Sequence, residues 1–257
     1  MPQNRRSIFL APHPDDAVLS CGGTIYQLAR HGQRPIVITI FGGDRPAGVS
    51  LSNFACGLHA RWQLGEDAPA SRRDEDRAAL DHLGAYLICL PFADAVYRVA
   101  AASRQHLYAS EEAIFGEVQE GEIVDQIAEA LRARIKTIIS GGSMARVFAP
   151  LSAGHHVDHQ IVRASAEKLN YELIYYEDYP YAEDAAQLAP VWGPDQWAAE
   201  SIALSDEALR AKIAAFLEHR SQISTFYTDT AEVAQRLRSY AEQVGAGKPV
   251  ERFWRKQ

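Results

Sequence analysis

Short runs of apolar residues recur along the chain, separated by stretches with the apolar period of an amphipathic helix. Continuous apolar runs bounded by turn residues are typical of strands buried on both faces of a sheet. The runs predict strands at residues 8–11, 35–41, 86–90, 137–140 and 172–176. Because strands that alternate with helices form parallel sheets, we predict a Rossmann-like open α/β sheet, mostly parallel, with about five core strands and helices on both faces.

The stretches between these runs predict the helices. They cover residues 17–29, 71–83, 122–133, 156–169, 206–221 and 230–243. Gly84 directly follows the second of them and predicts its end, because glycine readily adopts the left-handed conformation of a helix C-cap. Gly22 and Gly23 keep side chains small in the first helix, which predicts that this helix packs close to the sheet.

Several segments show no clear period. Residues 45–70 and 91–120 are predicted as long loops, the first with a short helix, and loops of this length are often functional. Further along, we predict a tight turn at Gly141-Gly142, a loop over residues 182–204 and a basic, aromatic tail after Pro249.

The composition is that of an ordinary globular protein, with 47% hydrophobic and 23% charged residues. It can form a sizeable core, and in the absence of an evident linker we predict a single domain over residues 1–257. The net charge of −7 argues against a nucleic-acid or anionic-membrane partner, since both require a basic surface, but it is compatible with a neutral sugar. An assembly of identical chains is also compatible with this composition.

Targeting signals are not evident in the sequence. No apolar run reaches the length of a transmembrane helix, and the first residues lack the apolar core of a signal peptide. Cys21, Cys56 and Cys89 are widely spaced and form no C-x-x-C pair, which predicts free thiols in a reducing compartment. We therefore predict a cytoplasmic location.

A polar cluster follows the first predicted strand. His13, Asp15 and Asp16 lie where that strand ends and a helix begins, and open α/β sheets bind ligands at this end of their strands. Two neighbouring carboxylates resist joint ionisation, and a divalent cation would offset their repulsion. His13 and Asp16 can converge on one metal and leave Asp15 on the open side. The alternative is a structural N-cap turn, a common role for aspartate.

A second polar cluster contains three histidines and an aspartate within residues 155–159. If a helix begins near His156, then His156 and His159 share one face of it. A site of His13, Asp16 and His159 would have two imidazoles, one carboxylate and room for water. That is the composition of a catalytic zinc site with an open position.

Other pairings within the second cluster are weaker. His155 and His159 have i,i+4 spacing, as in the H-E-x-x-H proteases, but no glutamate follows His155. The metallo-β-lactamase pattern H-x-H-x-D-H fails because Gly154 stands at its first histidine. We therefore place His155 on an outer wall of the site. Asp158 is predicted to orient a neighbouring imidazole, with an exposed helix carboxylate as the alternative.

The two clusters, PHPDDAVLSCGG and HHVDH, resemble the motifs A-H-P-D-D-E and H-x-D-H of the PIG-L/LmbE-like zinc N-deacetylases. The resemblance implies a zinc ion with His13, Asp16 and His159 as its ligands. It also implies Asp15 as the general base and His156, in its protonated form, as the group that assists the oxyanion. Ala17 and Gly154 depart from the family pattern, so the roles of the glutamate and the tyrosine found there in the family are not carried over.

The resemblance extends to the predicted substrate-binding residues. Residues 72–84 are similar to the family's R-x-x-E…L-G helix, and Asp94 falls where the family usually has a substrate-binding aspartate. Arg72 and Asp94 suit the recognition of sugar hydroxyl groups. Asp44 follows a strand and is predicted on the same rim, with a turn-forming aspartate as the alternative. Asp178, next to Glu177 at the end of the fifth strand, is predicted to bind substrate in the same crevice.

We therefore interpret the chain as a zinc-dependent deacetylase that hydrolyses the N-acetyl group of an N-acetylglucosamine-type sugar or glycoconjugate. The tyrosines between residues 175 and 181 are predicted to be partly core and partly a sugar-stacking wall. One alternative is a zinc amidase for a non-sugar acyl amide in a natural-product pathway. A second alternative is a non-catalytic sugar- or nucleotide-binding α/β module, which predicts no bound metal.

Overall fold

The strands form one sheet in the computed structural model, which describes residues 5–139, 144–188 and 197–257. They are Arg5–Ala11 (β1), Ile36–Thr39 (β2), Tyr86–Cys89 (β3), Met144–Pro150 (β4), Leu173–Tyr176 (β5), Trp197–Ala203 (β6) and Val250–Lys256 (β7). Their order is β3-β2-β1-β4-β5-β7-β6. The first five strands are parallel, whereas β7 is antiparallel to both β5 and β6.

The helices are Asp16–Arg30 (α1), Asn53–Trp62 (α2), Ala68–Leu83 (α3), Glu111–Ile114 (α4), Glu122–Ile138 (α5), Val157–Glu167 (α6), Ala185–Leu188 (α7), Asp206–Phe216 (α8), Arg220–Phe226 (α9) and Thr230–Val244 (α10). Gly84 ends α3 in the left-handed conformation, with a φ of 69°, as predicted. The single helix predicted over 206–221 is wrong, because α8 and α9 are separate helices. No helix within the described residues is long and apolar enough to span a membrane.

Alternate residues of β1 point to opposite faces of the sheet, and each face is covered by helices. Ile8 and Leu10 pack with the apolar faces of α5 and α6 in one cluster. Phe9 packs with residues of α1, α3 and α8 in another cluster. The mixed α/β architecture and the mostly parallel sheet are therefore confirmed.

The prediction of about five strands is too low, because β6 and β7 form an antiparallel edge. A strand at such an edge alternates in burial instead of forming a continuous apolar run. In β7, Glu251 and Phe253 are buried and their neighbours are partly exposed, and this strand occupies the predicted basic tail. β6 lies in the predicted loop over 182–204, and residues 189–196 of that loop are outside the described ranges.

The predicted position of the fourth strand is also wrong. Residues 137–138 belong to the end of α5, and β4 begins at Met144. Ile138 and Ile139 continue the apolar helix face of Ile127, Leu131 and Ile135. A short apolar run alone does not distinguish such a helix end from a strand. The turn predicted at Gly141-Gly142 lies outside the described residues.

The two predicted loops form a layer of their own beside α6. Residues 45–70 contain α2 and the start of α3, and residues 91–120 contain a 3-10 turn at Ala95–Tyr97 and α4. Apolar side chains of both segments, including Ala55 and Tyr108, pack in one cluster with Val157 of α6. These segments are therefore held against the helix that carries the second histidine cluster.

The middle of α1 is joined to β7 and α8. Glu251 accepts hydrogen bonds from the backbone N–H groups of Gly23 at 2.9 Å and Thr24 at 2.8 Å, and from Lys212 Nζ at 2.7 Å. A Cβ atom at Gly22 would lie 3.0 Å from Lys212 Cγ. The close approach predicted from the glycines occurs, and it is made to Glu251 of the sheet strand β7 and to Lys212 of α8.

Candidate active site

The first polar cluster lies in the turn between β1 and α1. His13, Asp15 and Asp16 are all buried there, at the carboxyl end of the strand. Asp16 Oδ2 accepts a hydrogen bond from the backbone N–H of His13 at 2.7 Å, which closes the turn. Asp15 has a φ of 115°, which a non-glycine residue rarely adopts, and such strain is concentrated at functional sites. The turn therefore holds the adjacent carboxylates in different surroundings.

Three side chains from the two clusters come together as a candidate ligand set. Asp16 Oδ2 is 3.4 Å from His13 Nδ1 and 3.4 Å from His159 Nε2. Two ligand atoms that each lie about 2.1 Å from a tetrahedral zinc ion are about 3.4 Å apart. The spacing between Asp16 and each of the two imidazoles is therefore compatible with a pair of zinc ligands.

The two adjacent carboxyl groups differ in their pKa. Burial acts to raise the pKa of Asp16, but the imidazoles of His159 and His13 outweigh it and hold that pKa well below its usual range. Burial, reinforced by the charge of Asp16, raises the pKa of Asp15 to about 8. A cation bound beside Asp15 would act in the opposite sense, because a positive charge favours the carboxylate.

The carboxylate of Asp15 also has fewer hydrogen-bond partners than that of Asp16. Arg72 Nη2 lies 4.0 Å from Asp15 Oδ2, beyond hydrogen-bond distance. No hydrogen bond joins the Asp15 carboxylate to any residue that the structure describes. Asp15 therefore has oxygens available to a proton donor such as water.

Asp158 supports the imidazole of His13. Its Oδ2 atom accepts hydrogen bonds from His13 Nε2 at 2.8 Å and from the backbone N–H of Ala95 at 3.0 Å. Its Oδ1 atom accepts a hydrogen bond from Arg98 Nη2 at 2.6 Å. Burial would raise the pKa of Asp158, but Arg98 and His13 hold it well below its usual range. The predicted orienting carboxylate thus lies against His13, with Nδ1 of that ring facing Asp16.

Asp178 supports the imidazole of His159 and is not exposed to the crevice. Its Oδ1 atom accepts a hydrogen bond from His159 Nδ1 at 2.6 Å, and its Oδ2 atom accepts one from the backbone N–H of Ala153 at 2.9 Å. The residue is 1% exposed. The geometry therefore contradicts a substrate-binding role for Asp178, because both of its oxygens are engaged within the protein.

His156 lies at the N-terminus of α6 as its cap. Its Nδ1 atom accepts a hydrogen bond from the backbone N–H of Asp158 at 3.2 Å, so any proton on the neutral ring is on Nε2. Burial, together with the charge on His13, holds the pKa of His156 well below its usual value. A neutral His156 in this geometry has its Nε2–H available to donate a hydrogen bond, and the protonated form expected from the sequence stays a prediction.

Among the described residues, two groups of side chains have ligand atoms that all lie within 4.8 Å of one another, and neither group includes Asp16. One joins His156 to His13 and His159, which places His156 beside the candidate ligands. The other combines His13, Asp94 and Asp158. In that second group Arg98 pairs with Asp158 and Arg72 pairs with Asp94, so the negative charge that would attract a cation is already balanced.

A small pocket opens beside the cluster. It is lined by Pro14, Phe41, Gly42, Gly43, Pro69, Arg72, Asp94 and Tyr97. Arg72 Nη1 donates to Asp94 Oδ2 at 3.3 Å, and the guanidinium lies 4.8 Å from the centroid of the Trp62 ring. Asp94 Oδ2 is also 3.8 Å from His13 Nε2. Arg72 and Asp94 therefore present a donor and an acceptor next to the candidate metal ligands.

Three predicted residues lie away from the pocket. The Asp44 side chain is 76% exposed and forms an ion pair with Arg73 at 2.8 Å, so it is on the outer rim. Glu177 is buried and accepts hydrogen bonds from Arg252 Nε at 2.6 Å and from Tyr240. His155 is exposed at a positive φ of 63°. None of the three lines the pocket described above.

Sequence reasoning missed Arg98. Its guanidinium lies 4.8 Å from the centroid of the Phe41 ring and 5.2 Å from that of Tyr108, and it pairs with both Asp158 and Glu120. An arginine in a segment without a period usually indicates a solvated charge. Its aromatic neighbours in the same segment are the only local signal of burial.

Comparison with known proteins identifies one family over much of the chain. The family described as PIG-L, GlcNAc-PI de-N-acetylase, matches residues 8–170. That range includes both polar clusters, the whole of α3 and the Arg98 segment. It ends before Asp178, Tyr181 and the antiparallel edge of the sheet.

Relatives extend the similarity over most of the chain. The 2'-N-acetylparomamine deacetylase of Niallia circulans is 29% identical over 258 residues, which is 90% of this chain and 86% of that protein. Among solved structures, the zinc-inhibited form of teicoplanin deacetylase Orf2 is 28% identical with a TM-score of 0.80, covering 98% of each chain. The A40926 pseudoaglycone deacetylase Dbv21 is 29% identical with a TM-score of 0.79, covering 99% of this chain and 98% of that one.

Proposed function

The chain belongs to the PIG-L family of de-N-acetylases and is a zinc-dependent deacetylase, and we propose that its substrate is an N-acetylglucosamine unit linked to a larger natural product. The observation that carries the proposal is the pocket in which Arg72 and Asp94 lie beside His13. A guanidinium and a carboxylate together can donate to and accept from the hydroxyl groups of a sugar ring.

The proposed zinc ligands are His13, Asp16 and His159. A bound zinc ion would supply Lewis acidity toward the acetamide carbonyl oxygen and toward water. Asp158 and Asp178 hold the two imidazoles from behind, and each carboxylate fixes which ring nitrogen faces Asp16. These residues therefore set the geometry of the centre, and neither is assigned a contact with substrate.

The proposed reaction is the hydrolysis of an acetamide to acetate and a free amine. Asp15 accepts a proton from the attacking water, because its oxygens are otherwise unbound within the described chain. The Nε2–H of His156 donates a hydrogen bond to the carbonyl oxygen as negative charge develops on it. A C–O bond forms, the C–N bond breaks, and the amine nitrogen takes the proton that Asp15 received from water.

The names of the relatives support an amino-sugar glycoside over a free monosaccharide. One is named for the 2'-N-acetyl group of paromamine, and the two solved structures for teicoplanin and the A40926 pseudoaglycone. For this chain the larger scaffold is part of the proposal. We also propose a single domain, since one sheet extends from Arg5 to Lys256 through the described residues.

An amine-release assay tests the proposal. The zinc-loaded protein is offered N-acetylglucosamine, its simple glycosides, an N-acetylated aminoglycoside and a non-sugar acetamide of similar size. We expect kcat/KM to be highest for the glycosides. Equal or higher kcat/KM with the non-sugar acetamide would favour the zinc amidase, and a protein that binds sugars without zinc or turnover would favour the binding module.

A further inference from the structure

Tyr181 differs from the other tyrosines of its segment. Tyr175, Tyr176 and Tyr179 are buried, and each of their hydroxyl groups donates a hydrogen bond within the protein. Tyr181 is half-buried, and no hydrogen bond joins its hydroxyl to any residue in the described ranges. A polar group kept at a partly open position without a protein partner is available to a ligand.

The Tyr181 ring belongs to a row of aromatic side chains next to the candidate metal ligands. Its centroid lies 5.9 Å from that of His159, 5.7 Å from that of Phe115 and 6.4 Å from that of Phe226, with the rings edge to face. Phe115 lies 5.5 Å from His156. Phe115 and Phe226 are half-buried as well. We call Phe115, Tyr181 and Phe226 the aromatic wall.

The position of Tyr181 is fixed by the chain around the metal ligands. A Cβ atom at Gly154 would lie 2.5 Å from Tyr181 Cγ, so only glycine leaves space for the ring there. Gly154 also has a φ of 81°, which favours glycine. Tyr181 begins a 3-10 turn in which the backbone N–H of Ala182 donates to the carbonyl oxygen of Asp178 at 3.0 Å. The residue that supports His159 therefore also anchors the aromatic wall.

The two flanks of the metal cluster differ in chemistry. Arg72 and Asp94 lie on the side of His13, whereas the aromatic wall contacts His156 and His159. A sugar ring has polar hydroxyl edges and an apolar C–H face, and binding sites use aromatic rings for the apolar part and a few polar groups for orientation. A glycoside whose acetamide reaches the cluster can thus place one ring on each flank.

We propose that Phe115, Tyr181 and Phe226 form a subsite for the second ring of the substrate, the one linked to the N-acetylglucosamine unit. The Phe115 and Phe226 rings pack against the apolar face of that second ring. The Tyr181 hydroxyl forms a hydrogen bond with one of its polar groups. This subsite rests on the proposed function. It assigns the binding of the ring linked to the N-acetylglucosamine unit to residues outside the metal centre.

The test compares the methyl and phenyl glycosides of N-acetylglucosamine. Only the phenyl glycoside has a second ring. In the unaltered protein, we expect kcat/KM to be about 10-fold higher for the phenyl glycoside, in line with the usual worth of an aromatic contact. Phe226→Ala should bring the phenyl-to-methyl ratio close to one. Tyr86→Ala is the matched control: Tyr86 is 54% exposed at the start of β3, at the opposite end of the strands, and its loss should leave the ratio unchanged.

A binding measurement separates this subsite from the proposed function. The dissociation constants of the two deacetylated glycosides, methyl and phenyl glucosaminide, are measured by calorimetry and require no turnover. We expect tighter binding of the phenyl compound and loss of that preference in Phe226→Ala. Absence of any phenyl preference, or an equal loss for both compounds, would overturn the subsite. Retained preference with no deacetylation of either glycoside would overturn the proposed function and leave the subsite standing.

The Tyr181 hydroxyl has its own variant, Tyr181→Phe, tested with a disaccharide whose second ring bears hydroxyl groups. We expect kcat/KM for the disaccharide to fall about 10-fold, while the value for the phenyl glycoside, which offers no hydroxyl on that ring, changes less. Tyr179→Phe is the control, because its hydroxyl is bound to Glu183 inside the protein. Equal losses for both substrates would assign Tyr181 a structural role only.

Discussion

Asp158 and Asp178 each form a hydrogen bond with one imidazole of the proposed metal centre, but the two carboxylates differ in their other partners. Each carboxylate is fully buried and accepts a hydrogen bond from the ring nitrogen that faces away from Asp16. The distance is 2.8 Å from His13 Nε2 to Asp158 and 2.6 Å from His159 Nδ1 to Asp178. Asp158 is also paired with Arg98 at 2.6 Å. Among the residues that the structure describes, the second oxygen of Asp178 is bonded only to the backbone N–H of Ala153.

The difference appears in the pKa values of the two carboxyl groups. Arg98, acting against burial, holds the pKa of Asp158 well below its usual range. Burial raises the pKa of Asp178, and the hydrogen bond from His159 only partly offsets it. The charge of Asp158, which orients His13, is thus balanced by Arg98. Asp178, which orients His159, is held mainly by hydrogen bonds. The two sides should respond differently to substitution.

Loss of Asp16 breaks both sides at once, because its Oδ2 atom lies 3.4 Å from each imidazole. We expect Asp16→Ala to lose most of its zinc and all measurable activity, as determined by metal analysis and amine release. Asp15→Asn is the matched control. It should keep its zinc, while kcat falls by roughly 10²–10⁴, the usual contribution of a general base. Zinc loss in Asp15→Asn would make Asp15 a ligand.

Asp158→Asn tests the support of His13, where the carboxylate is paired with Arg98. It removes the support of His13 and leaves Arg98 buried without its main partner. We expect zinc affinity to fall about 10- to 100-fold in a chelator competition. The free energy of unfolding should fall by about 3–5 kcal/mol, because the buried guanidinium of Arg98 loses one of its two carboxylate partners and keeps only Glu120 among the described residues.

The double variant Asp158→Asn/Arg98→Met separates these two effects. Removing both charges should recover much of the free energy of unfolding, since replacing a buried ion pair with an apolar group is often neutral. Zinc affinity should stay low, because His13 still lacks its carboxylate. Recovery of both quantities together would mean that Asp158 acts on the metal only through stability.

Asp178→Asn tests the other side. We expect zinc affinity to fall by a similar factor, about 10- to 100-fold, because His159 loses an ionisable support. The free energy of unfolding should fall less than in Asp158→Asn, by about 1–3 kcal/mol, since no cation is left unpaired. Equal destabilisation in the two variants would contradict the comparison.

Asp94→Ala lies outside both supports and should have the smallest effect. We expect KM for a sugar glycoside to rise about 10-fold through the loss of a hydrogen-bond acceptor, with zinc content unchanged. Asp44→Ala is the control, because its side chain is 76% exposed on the rim. Identical kinetics for Asp94→Ala and the unaltered protein would make Asp94 only the cap of the 3-10 turn at Ala95–Tyr97.

The sequence predicted which residues gather at the centre because each cluster lies in one short segment. His13 and Asp16 follow a strand that could be recognised from its apolar run, and His159 lies one helical turn beyond His156. The direction in which a side chain points was less predictable. Asp178 ends a strand just as His13 does, but only the fold shows that its side chain turns toward His159 instead of the crevice.

Features that depend on distant contacts were not predictable in the same way. Arg98 is 60 residues from Asp158 in sequence, and nothing local to either residue indicates their pairing. β6 is mostly exposed, and β7 alternates between buried and partly exposed residues and carries charges at Glu251, Arg252, Arg255 and Lys256. The apolar runs that located β1, β2 and β3 are therefore missing from both strands.

The bonds from Glu251 to α1 have a consequence for the synthesis of the protein. His13 and Asp16 leave the ribosome early, but the carboxylate that holds the middle of their helix is 228 residues beyond Gly23 in the chain. Until β7 has been made and inserted between β5 and β6, the amide groups of Gly23 and Thr24 and the ammonium group of Lys212 lack that partner. The helix that begins with Asp16 therefore gains these bonds only after β7, which lies more than 200 residues beyond it in the chain, has been made.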